Sequence, residues 1–348
     1  MNKITKFFVL VAILAAICTK VSHAQQLPMY SQYMLNPYLI NPAVAGTTDY
    51  FDFKAGYRYQ WVGLKDPQTG ESVGPQTFYA TGHGHIGKEH QRLRGRHRNQ
   101  NTWHHGLGGQ LVVDKTGPTS MTSFMGTYAY DFNINKSIRL SVAAQIGIKQ
   151  FALDAGKIRL STGEQGVGNV PIQQLSPFIM PDAAIGGWLY HKLWFAGLSI
   201  QQLFMNQFGQ SYYQTNVSGS SVVNRLTQHY FIYGGGIFHP NREIAIIPSV
   251  LVKSVFGAFQ GSSFDLNVKV RYMNFVWGGL SFRNSAVFKN SDSFSVFLGV
   301  LAAKRVEVGY SYDYALNALN VSTSGSHEIM VGYRFEPNAH IISPSDFW

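Results

Sequence analysis

The stretch Arg305-Val306-Glu307-Val308-Gly309-Tyr310-Ser311-Tyr312-Asp313-Tyr314 alternates with a period of two. In extended backbone, successive side chains point to opposite sides. Arg305, Glu307, Gly309, Ser311 and Asp313 therefore share one face, and Val306, Val308, Tyr310, Tyr312 and Tyr314 the other. One face is wet and the other apolar, with aromatic rings gathered towards one end. That is the pattern of a strand passing from hydrocarbon to headgroups in an outer membrane.

The device recurs along the chain. Phe51, Phe53, Ala55, Tyr57, Tyr59 and Trp61 oppose Asp52, Lys54, Gly56, Arg58 and Gln60. Ile138, Leu140, Val142, Ala144, Ile146 and Ile148 oppose Arg139, Gln145 and Lys149; Phe264, Leu266, Val268, Val270 and Tyr272 oppose Asp265, Asn267, Lys269 and Arg271. With turn-forming residues as boundaries, strands are predicted near 51–61, 73–85, 104–113, 120–133, 136–150, 178–190, 192–202, 228–239, 242–253, 262–273, 274–284, 293–302, 304–314 and 326–335. The fold class is all-β, a transmembrane antiparallel β-barrel of about 14 strands and of outer-membrane type.

Composition agrees. Phenylalanine (24), tyrosine (19) and glycine (35) are abundant, while charged residues make up 13% of the chain, against roughly 25% in soluble domains. A soluble sandwich needs charge on its solvent face; a barrel in lipid turns apolar residues outward and keeps its charges in the lumen. Residues 1–24 read as a signal peptide: Lys3 and Lys6, an apolar run from Phe7 to Ile17, and Ser22-His23-Ala24 before Gln25. That run is short of the about 20 residues a membrane helix needs. Cys18, the only cysteine, leaves with it, so no mature thiol remains for a disulfide, a metal cluster or a nucleophile. The formal charge of +10 becomes +7 on loss of Lys3, Lys6 and Lys20. Lys88, Arg92, Arg94, Arg96 and Arg98 against Glu89 supply +4 of it, a local feature and not the footprint of a nucleic-acid binder.

Four regions follow: the signal peptide; residues 25–48, irregular, punctuated by Asn36-Pro37 and Asn41-Pro42 and read as a plug or a periplasmic segment; a barrel over 49–335; and a periplasmic tail, 336–348. With both termini in the periplasm, the connections after strands 4, 6, 8, 10 and 12 are periplasmic and short. Those after strands 5, 7, 9, 11 and 13 are external and longer, as in outer-membrane barrels. The 87–103 loop is the exception, long yet periplasmic by parity.

Two further stretches carry a resemblance. Tyr30-Ser31-Gln32-Tyr33-Met34 with Asn36, Asn41-Pro42-Ala43 and Ala45-Gly46, followed by an aromatic strand ending Arg58-Tyr59-Gln60-Trp61, resembles the N-terminal signature of the PorP/SprF family. Gly325-Ser326-His327-Glu328-Ile329 with Gly332-Tyr333 resembles its C-terminal signature. The resemblance implies an outer-membrane component of the type IX secretion system, related to gliding-motility proteins. It also implies one of two roles: association with the periplasmic ring and motor components, or partnership with a secreted adhesin whose C-terminal domain is received and held at the cell surface. The basic insertion at 88–103 and the tail from Glu336 to Trp348 depart from the pattern.

On this reading the candidate partner-binding residues are Tyr30, Gln32, Tyr33, Asn36, Asn41, Pro42, Gly46, Gly325, Ser326, His327 and Glu328, and the basic loop from Lys88 to Arg98 docks an acidic periplasmic protein or anionic headgroups. His83, His85, His90, His97, His104 and His105 gather in one region, but their spacing is irregular and the neighbouring cations oppose a metal ion. No cofactor is expected. The inward charges Asp52, Lys54, Arg58, Arg139, Lys149, Asp265, Lys269, Arg271, Glu307, Asp313, Glu328 and Arg334 either line a conduction path for small solutes or pair across a filled interior. Filling is favoured, with residues 25–48 as the filler. Ser326-His327-Glu328 resembles a triad fragment, yet consecutive strand residues face opposite ways. No phosphate loop, zinc motif or nucleophile elbow is present, so no enzyme is expected.

Overall fold

A computed structural model of the chain describes residues 27–66, 70–86, 103–135, 137–154, 177–206, 226–255, 258–285, 290–303 and 305–335. Fourteen strands form one closed antiparallel barrel: β1 Phe51–Tyr59, β2 Gln76–Ile86, β3 His104–Thr116, β4 Thr119–Asn133, β5 Arg139–Leu153, β6 Phe178–His191, β7 Trp194–Gln201, β8 His229–Gly236, β9 Ile244–Val255, β10 Ala258–Tyr272, β11 Val276–Ser285, β12 Asn290–Ala302, β13 Val306–Ala315 and β14 Ser326–Phe335. Each strand pairs with its sequence neighbour, and β1 closes on β14 in a register running from Phe51 opposite Phe335 to Tyr59 opposite His327. Closure leaves no edge of unpaired backbone for lipid to meet.

The walls are built as the alternation requires. In β13, Glu307, Gly309, Ser311 and Asp313 are buried inward while Val306, Val308, Tyr310 and Tyr314 are exposed. In β5, Arg139, Gln145 and Lys149 are buried while Val142, Ile146 and Ile148 face out. Among the described residues, no helix is long and apolar enough to cross a membrane.

The rim that carries Phe51 and Phe335 is the lower one; Tyr59, Ser326 and Asp313 lie towards the upper. β4–β5, β6–β7, β8–β9, β10–β11 and β12–β13 join at the lower rim through connections of five, two, seven, three and three residues, β2–β3 joins there through the longer 87–103, and β5–β6 and β7–β8 join at the upper rim. Longer loops mark the external side of such barrels; the two longest connections, β5–β6 and β7–β8, are at the upper rim, which we read as the outer one, with 87–103 as the exception at the lower rim. One expected long loop is absent: β9 ends at Val255 and β10 begins at Ala258. Ladder pairing resumes there past a register shift between Ala258 and Ser263, so residues expected in a loop extend the hairpin. The basic residues Lys88, Arg92, Arg94, Arg96 and Arg98, with His90 and His97, lie outside the described residues, as does the 336–348 tail.

The irregular segment runs inside the barrel, from the upper rim to the lower. Ser31 meets Arg58, Asp313 and Glu328 near the upper ends of β1, β13 and β14. Asn36 reaches Thr81 and Tyr38 reaches Thr127 at mid-wall. Gly46 and Thr48 then meet His104 and His85 near the lower rim. Asn36-Pro37 and Asn41-Pro42 each start a single 3-10 turn, Pro37–Leu39 and Pro42–Val44, because proline supplies a helical φ without an N–H to satisfy. The segment's first described residues, Leu27 to Met29, sit in the upper half. The reason is local, since Ser31 and Gln32 find their partners at the upper end of the closing seam and Gly46 finds its own at the lower.

This direction predicts surface reactivity. Because Cys18 is the only native cysteine, a Leu27→Cys chain should take a membrane-impermeant maleimide on intact cells, whereas Ser137→Cys on a lower turn should react only after permeabilisation. Labelling of both positions only after permeabilisation would contradict the threading.

Candidate functional site in the filled lumen

Residues 30–48 have no strand to pair with, yet all are buried. Their backbone groups need partners, and inward side chains of the wall supply them. Glu328 accepts from Ser31 N at 2.7 Å. Arg283 donates to the Tyr30 carbonyl at 3.2 Å and Lys54 to the Leu35 carbonyl at 2.5 Å. Gln201 donates to the Leu39 carbonyl at 3.3 Å, Ser199 to the Ile40 carbonyl, and His104 Nε2 to the Gly46 carbonyl at 2.8 Å. The wall behaves as a surrogate ladder made of side chains.

The charges on that wall are gathered in groups of both signs. At the β1–β14 seam, Arg58 donates to Asp313 at 2.6 Å and to Ser31 Oγ at 2.5 Å, and approaches Glu328 at 3.4 Å. Tyr79 donates to the other oxygen of Glu328 at 2.9 Å, and Gln32 to the Glu328 carbonyl at 2.9 Å. Lower down, Lys54 bridges Asp52 at 2.8 Å and Glu307 at 3.7 Å, with Arg334 on Glu307 at 3.1 Å. Asp265 holds Lys253 at 2.9 Å and Arg283 at 3.3 Å. Arg139 meets Asp131 and passes a hydrogen bond to His104 Nδ1 at 3.0 Å, whose other nitrogen serves Gly46. Buried charges persist only when paired and hydrogen-bonded.

An aromatic core completes the filling. Trp188 stacks on Phe195 with centroids 5.2 Å apart, and Tyr233 contacts both rings and Tyr33 of the inner segment. Tyr33 also accepts a hydrogen bond from Asn267 at 2.7 Å. Tyr38 Oη lies 2.6 Å from Thr127 Oγ1.

The N-terminal candidates converge: Tyr30, Gln32, Tyr33, Asn36, Asn41 and Pro42 are all buried against the wall. Asn41 donates to the Gly187 and Leu198 carbonyls at 3.1 and 3.3 Å. Gly46 has φ +77°, and an added Cβ would stand 2.6 Å from Gly106 Cα, so segment and wall touch backbone to backbone there. Gly325, at φ +88°, leads into β14. Ser326 and Glu328 face inward, while His327 faces outward and contacts Tyr310 Oη at 2.6 Å. The Ser-His-Glu run is thus divided between two sides of the wall. Among the described residues, no group of three or more His, Cys, Asp or Glu side chains is placed to hold a metal.

Sequence reading missed Asp131, Asp182, Lys253 and Arg283, all inward-facing. Each sits at an alternating position within a readable strand, so the period of two was the available signal. The inward aromatics Trp188, Phe195, Tyr233, Trp277 and Phe297 were missed as well. Aromatic residues on such strands usually face lipid, and nothing local separates these from the outer belt.

A family model described as type IX secretion system membrane protein PorP/SprF matches residues 22–333. No curated protein is significantly similar to the chain. Among solved structures, a FadL homologue of Pseudomonas aeruginosa aligns over 90% of this chain and 95% of its own, with 11% identity and a TM-score of 0.50. The outer membrane protein Omp33 of Acinetobacter baumannii aligns over 82% and 99%, with 10% identity and a TM-score of 0.43. At such identities the likeness is one of barrel fold.

The seam cluster yields a stability prediction. Arg58→Met leaves Asp313 and Glu328 buried without their cation and should cost about 3–5 kcal/mol, read as a lower temperature for loss of the compact, fast-migrating form on unheated gels. Arg58→Lys should fall between the two. Equal melting of Arg58→Met and the parent chain would show that the cluster does not hold the seam.

Proposed function

Since the chain belongs to the PorP/SprF family of type IX secretion system membrane proteins, we propose that it is a non-enzymatic protein-binding component of that system in the outer membrane. It binds the C-terminal domain of a secreted adhesin for export and surface attachment, docks the periplasmic ring and motor components, or does both. The observation that carries this reading is the filled lumen. Residues 27–48 act as a plug whose backbone is tied to the wall at every level from Ser31 to Thr48. A barrel filled in this way offers its rims and loops to proteins in preference to passing solutes.

The two rims suit the two kinds of partner. The upper ends of β5, β6, β7 and β8 stand on the outer rim, where a secreted protein arrives. The lower rim carries the flanks of the basic loop, Ile86 and His104, with Trp103 exposed beside them. The basic sequence between them, with Lys88, Arg92, Arg94, Arg96 and Arg98, suits an acidic periplasmic surface or anionic headgroups. The segment 1–24 serves as the export signal.

The test is gentle extraction of the barrel from its native envelope, followed by mass spectrometry of what stays bound. A stoichiometric C-terminal domain of a large secreted protein identifies a dedicated substrate partner; periplasmic ring components identify a part of the machine. A barrel recovered alone, under conditions that keep other envelope complexes intact, would contradict the proposal.

A further inference from the structure

Beside the plug the lumen keeps an open space. A cavity with about 100 Å³ of room for the centres of water-sized spheres lies in the upper half of the barrel. Tyr30, Tyr33, Leu39 and Ile40 line it from the plug, and all four are buried. Its walls are Val112 and Met125 from β3 and β4, Ala184 from β6 and Phe231 from β8. Leu27, Pro28 and Met29 enter it from the chain's own amino-terminal side. The surface is mostly apolar, with Gln110, Gln145, Gln201 and His229 among its polar groups, and the methionines are deformable, which suits a small ligand.

The polar groups in it restrict the ligand. Lys149 and Lys253 are both paired, with Asp182 at 2.6 Å and Asp265 at 2.9 Å. Asp114 and Asp182 balance the two lysines in the lining itself, two charges against two. An anionic amphiphile therefore finds no free cation, and a cation no excess of carboxylate. Asp182 is 1% exposed, yet its Oδ1 is a buried acceptor with no hydrogen-bond partner among the described residues. Buried acceptors of this kind are rare and costly unless something donates to them.

We propose that this cavity is a dead-end binding site, entered from the outer rim, for a small uncharged apolar molecule bearing one hydroxyl or N–H donor, which Asp182 Oδ1 accepts. The proposal concerns a ligand and stands apart from the secretion role.

The test uses the full chain in lipid nanodiscs, with 2-naphthol as a fluorescent probe and naphthalene and 2-naphthoate as comparisons. Saturable binding of 2-naphthol is expected, with naphthalene and 2-naphthoate each about ten-fold weaker or more. Ala184→Trp, which fills the cavity, should abolish it; Ile185→Trp, one residue on and facing lipid, should leave it unchanged. Val112→Phe, a smaller intrusion from β3, should weaken it while disturbing the fold least. The proposal is overturned if folded Ala184→Trp or Val112→Phe binds 2-naphthol like the parent chain. Equal affinity for 2-naphthoate, or partition into the nanodisc lipid alone, would overturn it too.

Discussion

The structure depends on one requirement: an irregular stretch of backbone buried inside a barrel must have its N–H and C=O groups satisfied. A strand meets this through its neighbours. Residues 30–48 have no such neighbours, and the wall answers with side chains: Glu328 for two amides; Arg283, Lys54, Gln201, Ser199 and His104 for carbonyls. Several of these residues are charged, and charges in a low-dielectric lumen need counter-charges. Asp313, Asp52, Glu307, Asp265 and Asp131 supply them. The polar interior thus follows from the plug, and the plug's position follows from the polar interior.

Closure of the barrel is tied into the same arrangement. Arg58 on β1 pairs across the seam with Glu328 on β14, directly opposite it in the ladder, and reaches Asp313 on β13. Ser31 sits in the middle, held by all three. The first and last strands of a barrel are the most distant in sequence, and loop-closure entropy makes their pairing costly. A plug residue placed at that joint rewards closure only once the segment is inside. Filling and closing are in this sense coupled, and they leave a cavity beside the plug in the upper part of the lumen.

What was legible in the sequence was whatever repeats locally. Arg305 to Tyr314 displays its two faces without reference to any other part of the chain, and the same holds for Phe51 to Trp61. Fourteen strands could therefore be placed within a few residues, and most lumen charges assigned to the correct side. The matching of charges was not legible. Ser31 meets Glu328 across 297 residues of sequence, and such a contact depends on register around the whole barrel. The direction of the plug was hidden as well, because a segment with no period carries no orientation. Trp188 and Phe297 look like belt residues until the plug gives them something inside to pack against. The family signatures at Tyr30–Gly46 and Gly325–Tyr333 could be read as words, but that they form the two sides of one joint emerges only from the fold.

The measurement that bears most directly on this account is ion conductance of the purified full chain in planar bilayers. If the plug is held by the wall at every level, the barrel should stay silent at moderate voltage and pass current only when residues 25–48 are deleted. Steady, solute-permeable channels from the intact chain, matching those of the deleted form, would mean that the segment does not close the lumen, and the account of a filled protein-binding barrel would fall.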